Sequence, residues 1–206
     1  MKKNTIISLL ILLSVLTISI PANAQVLSMR TGVKLGMIAC NYDHDDNGEV
    51  STGTGMHFGL GMGTDLFRIV GLDLTPQYRT TKYSRSVSWG RKTYFYNNIY
   101  FPVFLSLRGS FIPFVSPYIG LGIGINIIVG GHERDEYPNG TVIETPLSGS
   151  STQGVAIVGG GLEFKLSKLR LIPEFTANIT GSGDEANPPQ PTESNYHISL
   201  GVYYAP

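Results

Sequence analysis

Apolar and polar residues alternate along most of this chain with a period of two. The clearest stretch runs from Pro117 to Val129. Ile119, Leu121, Ile123, Ile125, Ile127 and Val129 share one parity; Tyr118, Gly120, Gly122, Gly124, Asn126 and Ile128 share the other. Successive side chains of a strand point to opposite faces, so the pattern predicts a strand with one aliphatic face and one nearly bare face. The uncharged span from Gly109 to Gly131 is also long enough for a transmembrane helix. Pro113, Pro117 and the glycines penalise that helix, and the period is two rather than about 3.6.

Eight such stretches follow one another, that one being the fifth. The first sets Met29, Val33, Leu35, Met37 and Ala39 against Arg30, Gly32, Lys34 and Gly36. The second sets Met56, Phe58, Leu60, Met62 and Leu66 against Gly55, His57, Gly59, Gly61, Gly63 and Asp65. The third opposes Val70, Leu72, Leu74 and Tyr78 to Asp73, Thr75, Gln77 and Arg79; the fourth opposes Ile99, Phe101, Val103, Leu105 and Leu107 to Asn98, Tyr100, Pro102, Ser106 and Arg108. In the sixth, Ala156, Val158, Leu162 and Phe164 face away from Gly159, Gly161, Glu163 and Lys165, with Val155 and Ile157 blurring the contrast. Leu169, Leu171, Phe175, Ala177 and Ile179 oppose Arg170, Glu174, Thr176 and Asn178 in the seventh. Tyr196, Ile198, Leu200, Val202 and Tyr204 oppose His197, Ser199, Gly201 and Tyr203 in the eighth.

The connections alternate in length. Short turns are expected around Arg68, at 109–115 and at Ser167-Lys168, and long polar loops at 41–53, 84–92, 130–151 and 181–194. Short turns at one end and long loops at the other are the pattern of an outer-membrane barrel. An even number of strands closes without an exposed edge. The predicted fold is therefore all-β, an eight-stranded antiparallel up-and-down transmembrane β-barrel. Phe67, Phe111, Phe114 and Tyr204 at the short-turn end, and Tyr83, Trp89, Tyr94 and Tyr96 at the long-loop end, are expected to form interfacial girdles. Arg30, Lys34, Asp65, Asp73, Arg79, Glu163, Lys165, Arg170 and Glu174 fall on the inward parity, where acids and bases should pair. The inward glycines are expected to relieve crowding around these charges. Barrels of this size fill their interiors with side chains, so a plugged lumen is expected over a conducting pore.

Composition adds location. Lys2 and Lys3, the apolar run Ile6–Ile20 and Pro21-Ala22-Asn23-Ala24 have the form of an export signal. Residues 1–24 are read as a cleaved signal peptide and 25–206 as the barrel domain, destined for the bacterial outer membrane. Cys40 is the single cysteine, so no internal disulfide forms despite export. The net charge is zero, which offers nothing to nucleic acid.

Thr31-Gly32-Val33-Lys34-Leu35-Gly36, Ile99-Tyr100-Phe101-Pro102-Val103-Phe104-Leu105, Pro117-Tyr118-Ile119-Gly120-Leu121-Gly122 and Gly159-Gly160-Gly161-Leu162-Glu163-Phe164, together with the signal peptide, resemble the PorT-like outer-membrane β-barrel family of Bacteroidetes-type bacteria. The resemblance spans 25–206 and implies an eight-stranded barrel without catalytic residues. Where members often carry an Arg-aromatic pair in the seventh strand, Glu174-Phe175 stands here.

Some residues invite chemical readings. Asp43-His44-Asp45-Asp46-Asn47-Gly48 contains the opening of a calcium loop, but position twelve would be Thr54 rather than a bidentate glutamate, and Asn47-Gly48 suits a hairpin tip. His197-x-Ser199 matches the spacing of lipid A deacylase barrels, in which an imidazole activates a hydroxyl. The pair lies on the inward face and no acid follows to orient the ring. His44, His57 and His132 lie on different elements, so spacing supports no zinc cluster. Glu133-Arg134-Asp135-Glu136 and Asn187-Pro188-Pro189-Gln190-Pro191 are expected in hydrated loops. No catalytic residue, metal or cofactor is assigned. The expected role is structural or binding, exercised through the long loops toward an extracellular ligand or protein, with outer-membrane lipid around the barrel and the barrel-assembly machinery inserting it. The runners-up are a lipid-modifying barrel enzyme, a narrow pore, and a soluble lipocalin-like barrel with its aliphatic face inward.

Overall fold

The computed structural model describes residues 27–44, 49–66, 69–109, 114–147, 149–180 and 192–206. Residues 1–26, Phe67, Arg68, Phe111 and the proline-rich run lie outside them. Among the described residues ten antiparallel strands form one sheet: β1 (Leu27–His44), β2 (Glu49–Leu66), β3 (Val70–Leu74), β4 (Gln77–Val87), β5 (Gly90–Arg108), β6 (Val115–Glu136), β7 (Val142–Pro146), β8 (Ser151–Leu166), β9 (Leu169–Thr180) and β10 (Thr192–Tyr204).

The sheet closes on itself. β1 pairs with β2 on one side and with β10 on the other, from Thr31↔Tyr204 to Asp43↔Thr192. β3 and β4 each pair with both β2 and β5, and so act as one ring strand interrupted at Thr75-Pro76. Pro76 has no N–H to give the ladder, but its carbonyl still accepts from Leu60 N at 3.1 Å. With that pair counted once and β7 lying outside the closure, the ring has 8 strands.

Alternation decides which face goes where. Met37, Met56, Leu60, Ile119, Leu121, Ile123 and Ile198 point outward and are exposed, whereas Arg30, Arg79, Arg108, Glu163, His57 and His197 point inward and are buried. A continuous outward apolar belt around a charged interior reverses a water-soluble barrel, and its surface requires lipid. The lipocalin-like alternative, with the aliphatic face inward, is therefore overturned.

The end where long loops are expected departs from expectation: the 41–53 segment is mostly strand, β1 running to His44 and β2 beginning at Glu49, and three further differences follow. The 84–92 loop is instead a tight hairpin, since β4 runs to Val87 and β5 resumes at Gly90 (φ 148°), leaving only Ser88 and Trp89 between them. The charged run Glu133–Glu136 is a continuation of β6 rather than a loop, paired with β5 on one side and β7 on the other. Tyr83 and Tyr96, expected in a lipid-facing girdle, are each 3 % exposed inside the barrel, and Tyr94 stacks on Tyr83 at 4.9 Å. They share parity with Arg79 and Asn98, and parity outweighs the preference of tyrosine for an interface. Trp89 instead stacks on Tyr137 at 4.9 Å, tying two hairpin tips together. At the short-turn end, Phe114 and Tyr204 are exposed as expected.

Candidate functional site

The inward side chains are stacked in layers. Arg30 on β1 pairs with Asp65 on β2 at 2.7 Å and with Asp73 on β3 at 2.5 Å. Arg108 on β5 reaches Asp65 at 3.0 Å, Asp73 at 3.2 Å and Glu163 on β8, and Arg170 on β9 reaches Glu163 at 3.2 Å. Six of the chain's strands are thus joined through one network at the short-turn end. Desolvated charges are tolerated only when paired and hydrogen-bonded, and here each carboxylate receives more than one cationic contact. Sequence parity put Arg108 on this face but did not count it among the pairing charges; with Arg30, whose contact with Glu163 is 3.9 Å, it touches all three carboxylates.

Above the network, Tyr100, Phe104, Tyr118, Val155, Ile157, Ile172 and Tyr203 form an apolar cluster within the lumen. Lys34 pairs with Glu174 at this level, and Tyr118 Oη donates to Glu174 at 2.7 Å. The arginines lie under aromatic faces, with Arg108 4.8 Å from the Tyr118 centroid. Toward the end opposite the arginine network, Ile38, Cys40, Tyr83, Tyr96 and Ile128 pack together, with Leu147 against them. A cavity of about 40 Å³ is left, bounded by polar residues that include His57, Arg79, Asn178 and His197 and by the apolar residues Phe104, Ile157 and Ile172. At roughly 10–15 Å³ per water it has room for only a few molecules.

The serine–histidine reading fares poorly in this geometry. His197 and Ser199 are 3 % and 5 % exposed, on the lumenal face of β10, whereas Ile198 and Leu200 meet lipid. Asn178 Nδ2 lies 3.2 Å from His197 Nε2, and an acyl chain in the bilayer has the wall of the barrel between itself and the pair. Of the calcium-like segment, Asp43 and His44 belong to β1, paired with Val50 and Glu49, and 45–48 lie outside the described residues. No group of three or more potential metal ligands occurs among the described residues.

At the end opposite the arginine network, β4, β5, β6 and β7 continue as a polar sheet beyond the apolar belt. Lys92 contacts Glu133 at 2.6 Å. Burial opposes its charge, but the hydrogen bond to Glu133 and the fields of Tyr94, Glu133 and Asp135 outweigh that, holding the ammonium above the usual lysine range. The β6–β7 turn is built on Asn139-Gly140, with Gly140 at φ 82° and Thr141 N donating to Asn139 Oδ1 at 3.0 Å.

Closed ring, apolar outer belt and ion-paired lumen together define a small transmembrane β-barrel. The sequence profile of the outer membrane protein β-barrel domain family matches residues 10–204, and the chain belongs to that family. Its fold is similar to that of Neisserial surface protein A of Neisseria, with a TM-score of 0.52 at 12% identity over 85% of this chain and 96% of that one. It is also similar to Ail, the attachment invasion locus protein of Yersinia pestis (TM-score 0.41, 13% identity, 86% and 98% covered). The N-terminal β-barrel domain of Pseudomonas aeruginosa OprF is a further similar structure (TM-score 0.40, 11% identity, 86% and 98% covered). Among curated proteins none matches.

Proposed function

We propose that this chain is a non-enzymatic outer-membrane barrel of the PorT-like branch, with a structural or binding role exercised outside the cell. One observation carries the reading. The lumen is filled by an arginine–carboxylate network and an aromatic layer, while β4–β7 continue as a polar sheet past the apolar belt. A filled lumen leaves the outer surface as the place for contact with a ligand or partner protein. In this reading residues 1–24 are removed on export, 25–206 form the barrel, and the barrel-assembly machinery inserts it with the β6–β7 hairpin outward. The PorT-like assignment rests on the four motifs named above.

Two measurements test it. Cys40 is 1 % exposed, so an Asn139→Cys variant carries a single accessible thiol. A membrane-impermeant maleimide should label it on intact cells and leave the parent protein unlabelled; labelling that requires permeabilised cells would reverse the orientation. Purified protein in planar bilayers should give no step conductance. Steps that scale with potassium chloride concentration would replace the plugged barrel by a narrow pore.

A further inference from the structure

The sheet ends at β7. Among the described residues this strand pairs with β6 alone, and no strand lies against its other side. Every residue of β7 is exposed, Val142 at 45 % and Ile143 at 48 %. The ladder decides which backbone groups are left over. Tyr137 N donates to Thr141 O at 2.9 Å and Leu147 N to Gly131 O at 3.1 Å, and one register joins these rungs through Asp135↔Ile143 and Glu133↔Thr145. Bonded and non-bonded pairs alternate in an antiparallel ladder, so Thr141, Ile143 and Thr145 turn their peptide groups toward β6. Val142 and Glu144 therefore turn both N–H and C=O away from the sheet, and Pro146 has only a carbonyl to turn.

We propose that this edge captures an extended segment of a partner protein, which adds to the sheet beside β7 and carries a lysine or arginine opposite Glu144. The inference rests on the reading that the role is binding at the surface, and it names the mode. Strand addition draws affinity from main-chain hydrogen bonds and specificity from alternate side chains. Val142 and Glu144 each supply one donor and one acceptor. Glu144 also supplies the specificity, being the one charged residue of β7, with its side chain 58 % exposed. In its row Thr93, Arg134 and Glu144 succeed one another toward the edge, so the carboxylate stands outermost. Arg134 is 4.0 Å from it and 3.0 Å from Glu136, and is shared between the two. A cation across the new ladder would bracket Glu144 from its open side, where opposite charges are favoured. On the other face Ile143 offers an apolar contact. Bare strand edges pair indiscriminately unless they are short or carry proline. This one is bounded by the Asn139-Gly140 turn and by Pro146, which limits it to a short segment.

The test uses the full barrel in detergent, where both ends are accessible, so its outcome is separate from the maleimide result that fixes orientation. The probe is a blocked peptide alternating valine and lysine, with one alternating valine and glutamate as the control. Binding is read by fluorescence and by amide hydrogen exchange. The valine–lysine peptide should slow exchange at Val142 and Glu144 and leave Ile143, already bonded to β6, unchanged. Glu144→Pro removes an edge N–H without touching a bond to β6, and should weaken binding by about tenfold. Glu144→Lys should transfer the preference to the valine–glutamate peptide. Val142 and Glu144 amides that exchange as slowly as that of Ile143 before peptide is added would mean that the chain itself covers the edge. That result, undiminished binding by Glu144→Pro, equal binding of the two peptides, or disulfide-linked pairs of a Val142→Cys barrel in place of peptide binding would each overturn the proposal.

Discussion

Arg108→Leu should lower the stability of the barrel by about 3–5 kcal/mol, the range for a buried ion pair deprived of one member. Arg108 is 6 % exposed and contacts Asp65, Asp73 and Glu163. Without it, those three carboxylates keep only Arg30 and Arg170, and water cannot readily reach the surplus charge. The measurement is the urea midpoint for refolding into lipid vesicles, with heat-modifiable migration as the readout of closure. Arg108→Lys should recover part of the loss, since an ammonium restores the charge but not a planar fork that bridges several acceptors. Lys92→Ala is the contrast. Its pair with Glu133 lies beyond the apolar belt, where such contacts are worth up to about 1 kcal/mol. Equal midpoints for Arg108→Leu and Lys92→Ala would mean that the network does not hold the barrel together.

Much of this interior was legible in the chain because the bilayer makes parity unambiguous. Where one face meets lipid, a polar residue at the wrong parity is heavily penalised, so the sequence alone places Arg30, Asp65, Asp73, Glu163 and Glu174 inward. The same rule placed His197 and Ser199 in the lumen and separated them from lipid. Beyond the belt the rule fails, because both faces of a strand meet water. Glu133-Arg134-Asp135-Glu136 therefore looked like a loop although it continues a strand.

A second loss of legibility is local. β5 and β6 slip in register between Asn97 and Asn98: Asn98 faces Ile128, but Asn97 faces Gly130. The unpaired Val129 is a bulge that exchanges the faces above it, putting Glu133 on the side of Tyr94. Nothing in the apolar pattern marks it. The apolar layer of the lumen was hidden for another reason. Tyr203 is legible at inward parity, whereas Phe104, Ile157 and Ile172, at the same parity, run against an expectation of polar inward residues.

The glycines of the fifth stretch illustrate how the right face can be assigned for an incomplete reason. They were expected to leave room for charges. Gly63 does lie against the Arg30 and Asp73 side chains, but Gly120 and Gly122 receive the ring of Phe104, and Gly124 that of Tyr100. The facing strand supplies aromatic rings because Phe104 is the cross-strand partner of Gly122. A Cβ at Gly122 would lie 2.5 Å from the Val103 carbonyl oxygen and 3.1 Å from Phe104 Cα, both backbone atoms that cannot rotate away. Gly122→Leu should therefore cost at or above the roughly 1–3 kcal/mol typical of overpacking, displacing Phe104 and opening the seam between β5 and β6. Ile123→Leu, one residue on, changes the shape of a side chain that is 71 % exposed and faces lipid, and should cost well under about 1.5 kcal/mol. Refolding yield and urea midpoint for the two variants in the same vesicles provide the comparison. Equal tolerance would mean that Phe104 does not occupy the groove above Gly122. A loss confined to Gly122→Leu, accompanied by slower urea unfolding when Phe104→Ala is added, would identify the ring-on-glycine contact as the part of this wall that resists change.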